Sequence, residues 1–481
     1  MAALTVLMAV IVVPPLVSVN RYKGRITHLM SASLGRPVRL SSVELRVLPR
    51  PGFVLTDLTV DEDAAYGAEP VLHANTVVAS IRLLPLWRGR LEISRVSVDE
   101  ASLNLVRTAE GRWNLDPFFR TAAAQAQPGD AKQGKALALP YLEATNSRIN
   151  IKRGFEKLPY SLVSADLSFW QEEPGDWRVR LRGQPARTDV MLDLADTGLV
   201  QLEARLRRAP ELRSMPVHVD VEWREAQLGQ LSKLVLGADP GWRGDLTGEM
   251  HMDGTAESAQ IITRLRATGV HRAEFAPAAP LDFDATCGFV YHYSARILDN
   301  LMCDSPLGDG HVKLAGNVPA DGKPKLSVEL QRVPAQAGLD ALRTVRNGIG
   351  AQLDAKGTIR GKLDYDPAAQ VPAPKETVPA HRRAAKGQVA KGPAAKDSAH
   401  GALSGSLVVD GLVLSGDGLS QPVQFPKVTL QPALAATGDY ETLTTTGSPA
   451  SASSVEASGR LATRANSRMR ASEPGPRTVN W

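Results

Sequence analysis

The stretch Gly89–Leu115, "GRLEISRVSVDEASLNLVRTAEGRWNL", constrains the fold more than any other feature, because its apolar residues recur at every second position. Leu91 and Ile93 share one face of an extended chain. Val96 and Val98 share the next after a one-residue phase change, and Leu103 and Leu105 follow the turn-like "DEAS". A period of two predicts antiparallel strands with one apolar face and one polar face. Such a face either packs on an ordinary protein core or meets an apolar ligand, and alternation alone does not choose between them.

The rest of the chain offers little reactive chemistry. Its 481 residues leave room for several domains and a sizeable core. The net charge of +5 is small for this length, and no compact basic stripe is interleaved with aromatics, so nucleic acid is not an expected partner. The nine histidines are scattered, and none forms H-E-x-x-H or another ligand pair at helical spacing; no metal or other cofactor is expected. There is no G-x-S-x-G elbow, and no catalytic residue is assigned. Asp282 and Asp284 alternate along a strand, which suits a solvated face better than the acid pair of a glycosidase. Trp87, Trp113 and Trp242 stand beside Arg or Gly at strand ends, where edge packing is the common reason for a Trp and sugar stacking the rarer one. "GNVPADGKP" lacks phosphate-loop spacing and predicts a hairpin turn at Asp321 and Gly322. Cys287 and Cys303 fall on neighbouring strand-like runs, where a disulfide and two buried thiols are both open readings.

The N-terminus carries no charge from Ala2 to Val19, a run of about 27 Å as a helix, enough for a bilayer core. Without a basic leader or an A-x-A site it reads as an uncleaved anchor, residues 1–19, rather than a signal peptide. Arg21, Lys23 and Arg25 follow it, which by charge alone favours a cytoplasmic C-terminal side, although long domains translocate regardless of charge. In "NRYKGRITHLMSASLG" Ile26, Leu29, Met30 and Leu34 line one helical face and Gly35 ends it. A strand meander completes residues 20–120, and "AAAQAQPGDAKQGKA" gives a linker at 121–136. A repeated strand-rich region spans 137–366, a disordered Pro, Ala and Lys linker 367–400, a further β-module 401–437 and a disordered polar tail 438–481.

Three markers suggest duplication. "GDLTGEMHMDG" at Gly244, "GTIRGKLDYD" at Gly357 and "GALSGSLVVDG" at Gly401 share one glycine-strand pattern. "EAQLGQLSKLV" at Glu225 and "PAQAGLDALRTV" at Pro334 are short amphipathic helices after strands. "GVHRAEFAPAAPLDF" at Gly269 and "GLVLSGDGLSQPVQF" at Gly411 share internal spacing.

Taken together, "LGRPV" at Leu34, P-x-x-G-F-x-L-x-D-L-x-V at Pro49, "LLPLWRGRLEI" at Leu83 and "RTAEGRWNL" at Arg107 follow an N-terminal span and a helix in one order, and this region resembles the AsmA family of bacterial envelope proteins. The glycine-strand repeats are similar to that family's C-terminal half more loosely. The resemblance implies a mainly β fold with a few short helices, built as an elongated antiparallel groove behind an N-terminal transmembrane helix. It further implies anchorage in the inner membrane, a periplasmic bulk, phospholipid and other envelope proteins as partners, and no enzymatic activity. Leu91, Ile93, Val96, Val98, Leu103 and Leu105 are then candidates for the apolar lining. A scaffold for outer-membrane protein assembly is the alternative, and an envelope enzyme acting on glycan a more distant one.

Overall fold

The structure, a computed structural model, describes residues 23–46, 50–82, 92–108, 111–117, 140–154, 156–209, 211–277, 280–345, 349, 352–367, 402–416, 419–433 and 442–446. The chain divides into two compact units, the first running to residue 306 and including 340–349, the second comprising 307–339 and the chain from 350. Both are mainly β with few short helices. The expected anchor, residues 1–19, lies outside the described residues, and among those described no helix is long and apolar enough to cross a membrane.

The first unit opens with α1 (Lys23–Leu34), closed at Gly35, whose φ of 65° lets the chain turn so that Arg36 N bonds Ser31 O. Then come β1 (Val38–Arg39), β2 (Ser42–Arg46), β3 (Gly52–Val60), β4 (Leu72–Ile81) and β5 (Ile93–Arg107). β1 and β2 both lie along β3, and β3, β4 and β5 pair antiparallel. β6 (Tyr141–Arg153), β7 (Glu156–Glu173), β8 (Asp176–Arg187), β9 (Thr197–Arg207) and β10 (Pro216–Gln227) continue the sheet. Next, α2 (Leu228–Leu236) leads to β11 (Trp242–Thr255), β12 (Ser258–Arg272), β13 (Phe283–His292) and β14 (Ile297–Leu307), all antiparallel.

The second unit holds β15 (Gly310–Val318), β16 (Lys325–Pro334), the start of α3 (Ala335–Val345), β17 (Leu353–Asp366), β18 (Ala402–Gly416), β19 (Val423–Ala433) and β20 (Thr442–Thr446), again paired in sequence order. The turn between β15 and β16 falls at Asp321 and Gly322, where Gly322 takes φ 72° and Asp321 Oδ1 accepts from Lys323 N at 3.0 Å.

Four expectations are corrected. β5 and β6 pair in parallel, so the sheet is not wholly antiparallel. "DEAS" is not a turn: β5 is one strand of 15 residues that runs on through Glu100, a left-handed residue at φ 50°. The stretch expected to be a disordered tail from 438 carries β20, paired with β19. The third glycine pattern, at Gly401, falls on β18, the neighbour of the strand bearing the second, so it marks a different position of the module.

The other repeat markers coincide position by position. β10 and β16 each slip register just before a helix, between Trp223 and Ala226 and between Leu330 and Val333. In each, a left-handed residue (Glu225, φ 59°; Arg332, φ 51°) precedes a buried one (Ala226, Val333). After the helix, Gly244 (φ 122°) and Gly357 (φ 129°) press against the next strand: an added Cβ would lie 2.7 Å from Thr268 O and 2.9 Å from Asp410 O respectively. Those carbonyls immediately precede Gly269 (φ 60°) and Gly411 (φ 62°), the third marker. A strand, helix, strand, strand module therefore occurs twice along the chain.

Candidate functional site: two apolar rows

Directly paired residues of neighbouring strands share a face, so register alone traces which side chains line up across a sheet. One row in the first unit reads Phe53, Ala79, Val96, Leu142, Phe169, Val179, Ala204, Val219, Met252, Ile261 and Phe289 from β3 to β13. The row beside it reads Leu55, Val77, Val98, Ala144, Leu167, Leu181, Leu202, Val221, Met250, Thr263, Cys287 and Cys303. At about 4.8 Å per strand this apolar band extends on the order of 50 Å measured along the sheet.

The band has two environments. Over β3–β5 it is roofed by α1: Ile26, Met30 and Leu34 pack with Phe53, Val96 and Val98 against a core of Val43, Leu55, Leu58, Val77 and neighbours. Over β8–β11 the cluster consists of Val179, Leu202, Ala204, Leu206, Val217, Val219, Val221 and Met252, with Met215 and Ala256 from the strand ends. Among the described residues no helix side chain belongs to that cluster; the sheet's own side chains bury one another.

The six lining candidates are thus distributed unevenly. Leu91 lies outside the described residues. Val96 and Val98 belong to the band but under α1, and Ile93, the first residue of β5, is 43% exposed. Leu103 stands opposite Leu72 and Ile149, and Leu105 opposite Ile151. Sequence reading missed the β8–β11 stretch of the band, because Val219, Met250, Met252 and Ile261 come together only through register. The cysteines close the second row as a disulfide between Cys287 and Cys303.

The opposite face carries charge in cross-strand pairs, including Arg180 with Glu203 (2.9 Å) and Arg264 with Asp284 (2.6 Å). The Arg264 hydrogen bond, with Arg266 beside it, holds the Asp284 carboxyl down to about 2, and Asp282 Oδ1 accepts from Gly269 N at 2.8 Å. The two acids therefore act as partners on a solvated strand face. His218 Nδ1 lies 2.9 Å from Asp253 Oδ1 and its Nε2 3.1 Å from Asp220 Oδ2, while His251 Nδ1 meets Asp220 Oδ1 at 2.7 Å.

The bond to Asp253, and after it the charge of Asp220, lift His218 above its ordinary 6.5, against the partial loss of water around the ring. A raised folded-state value stabilises fully below the unfolded value, and that stabilisation is lost as pH rises through the folded one. Replacing His218→Gln is accordingly expected to lower the melting temperature at about pH 6 and change it little at about pH 9, as followed by circular dichroism.

The residues that carry the N-terminal motifs converge on one buried polar cluster. Arg36 of "LGRPV" pairs with Glu62 and donates Nη2 to Asn114 O at 3.1 Å. Asn114 of "GRWNL", fully buried, donates to Glu62 Oε2 (2.6 Å) and Asn104 O (2.8 Å) and accepts from Val106 N (3.0 Å). Asn104 donates to Pro70 O, and Asn150 and Ser161 extend the network across β6 and β7. This is a satisfied structural network rather than a reactive site.

An open depression of about 740 Å³ beside the α2–β11 loop is lined by Asp239, Arg243, Arg272 and Glu274 among others, and its charges pair internally: Arg243 with Asp239 and Arg272 with Glu274, both at 3.1 Å. Trp242 donates Nε1 to Thr344 O, while Trp87 lies outside the described residues. Among the described residues no group of three or more His, Cys, Asp or Glu is placed to hold a metal ion.

Neither curated proteins nor solved structures give a match to this chain. Residues 1–158 match the sequence model of the AsmA family.

Proposed function

With residues 1–158 belonging to the AsmA family, we propose that the chain is a non-enzymatic envelope protein whose apolar band shields phospholipid acyl chains. Its N-terminal segment anchors it in the inner membrane, its bulk lies in the periplasm, and it contributes to phospholipid movement or envelope assembly. The observation that carries this reading is the band over β8–β11, apolar in both rows and, among the described residues, with no helix side chain in its cluster. Each methylene hidden there gains about 0.8 kcal/mol, so ten of them supply roughly 8 kcal/mol without any reactive group. A disulfide suits an oxidising compartment such as the periplasm.

The test is native mass spectrometry of the full chain, extracted in mild detergent and then exchanged out of it. Wild type is expected to retain phospholipid. Val219→Asp with Ile261→Asp, in the band, is expected to lose it, and Ile262→Asp, on the charged face, to keep it. Because Val219 is largely buried, Leu265→Asp serves as a second variant: Leu265 pairs with Gly248 and Ala285 beside the rows and is 45% exposed, so the fold tolerates the change. Circular dichroism checks each fold. A folded wild type without lipid, or band variants that keep it, would overturn the proposal and favour a scaffold.

A further inference from the structure

We infer that Arg107 and Arg296, framed by Trp113 and Tyr293, form a binding site for a phosphate group, and that on the lipid reading above this is the headgroup of the bound phospholipid. The site arises where the segment after β5 meets the turn between β13 and β14. Trp113 Nε1 donates to Tyr293 Oη at 2.9 Å, and the Arg107 guanidinium lies 5.7 Å from the centroid of each ring. The two rings hold one arginine in place at little further entropic cost.

Between Arg107 and Trp113 the chain passes through Gly111, at φ 85°. A Cβ built on Gly111 would fall 3.3 Å from Arg296 Nη2 and 3.5 Å from Arg107 Nη2. Two guanidiniums thus border the space that any larger residue at position 111 would fill. Neither has an ion pair among the described residues. The acid of the neighbouring turn, Glu257, accepts instead from Ser294 Oγ at 2.6 Å. Two cations converging with no carboxylate paired to them among the described residues repel each other, whereas an anion with several oxygens between them relieves the repulsion and matches the planar donors of both. Phosphate has that charge and that number of acceptors.

The position also fits a lipid. Ala101, Leu103, Leu105 and Arg107 alternate along one face of β5, and Ala101 belongs to the same core as Val96 and Val98 of the band. A phosphodiester held by Arg107 therefore stands on the side of the sheet where the acyl chains would lie.

Isothermal titration of the full chain with three probes tests this: dihexanoyl phosphatidylglycerol, dihexanoylglycerol and inorganic phosphate. Arg107→Gln with Arg296→Gln is expected to weaken the short-chain phospholipid at least about tenfold and leave dihexanoylglycerol unchanged. Arg296→Gln alone, at an exposed turn, is expected to weaken the phospholipid in the same direction without disturbing the fold. Equal binding of phospholipid and dihexanoylglycerol, insensitive to both variants, overturns the phosphate site and leaves the apolar-band reading standing. Arginine-dependent binding of inorganic phosphate with no binding of either lipid keeps the site, assigns it to free phosphate and overturns the lipid reading. A wild type that binds neither phosphate compound overturns the site.

Discussion

Replacing Glu62→Ala is expected to lower the unfolding free energy of the first unit by about 3–5 kcal/mol, the cost of leaving a buried cation without its partner. The side chains of Arg36 and Glu62 are almost fully buried, and Glu62 also accepts from Asn114. Removing the carboxylate strands a guanidinium and an amide at once. Asn114→Ala is expected to cost somewhat less, about 1–3 kcal/mol, because it leaves Val106 N unsatisfied while the ion pair survives. Exchanging both ions for apolar side chains, Arg36→Met with Glu62→Leu, is expected to recover most of the loss, since a buried pair contributes little net stability against well-packed hydrophobes. Urea melts followed by circular dichroism read all three variants. A Glu62→Ala change within about 0.5 kcal/mol of wild type would place the cluster in contact with water and remove it as a determinant of the fold.

This cluster shows how the sequence was legible and where it stopped. "LGRPV" and "GRWNL" stood out as pieces of a family pattern, and Glu62 stands two residues past the one at Pro49, but nothing in their spacing says that Arg36, Glu62 and Asn114 meet. Strand alternation was readable because it depends on neighbours in the chain; the rows were not, because pairing Val96 with Leu142 depends on a parallel crossover whose register no local pattern encodes. The duplicated module was readable in Gly244 and Gly357 for a local physical reason: each sits where the next strand's backbone leaves no room for a side chain. "DEAS" misled for the opposite reason. Polar residues that usually mark a turn here sit inside β5, where Thr145 donates to Asp99 and Asn75 to Glu100, so the strand runs on. The lining candidates were read from faces correctly aligned in part, yet Val96 and Val98 lie under α1; whether a band residue meets a helix or the open sheet is decided by tertiary packing.

The second large effect is expected at the end of the second row. Reducing the bond between Cys287 and Cys303, or replacing both by alanine, is expected to destabilise the first unit by about 3 kcal/mol, the chain-entropy value for a loop of this size. The two residues stand directly opposite each other on β13 and β14 and continue the row from Met250 and Thr263. The bond therefore joins β14 to the sheet that bears the band, and its loss should be felt as earlier unfolding rather than as altered chemistry. Melts with and without reductant measure the difference, and thiol alkylation followed by mass spectrometry assigns it. The same measurement bears on location: protein from an envelope fraction is expected to resist alkylation until reduced, whereas protein retained in a reducing cytosol should label at both positions. Full labelling of envelope protein without reductant would sink both the stability prediction and the support that the disulfide lends to a periplasmic home.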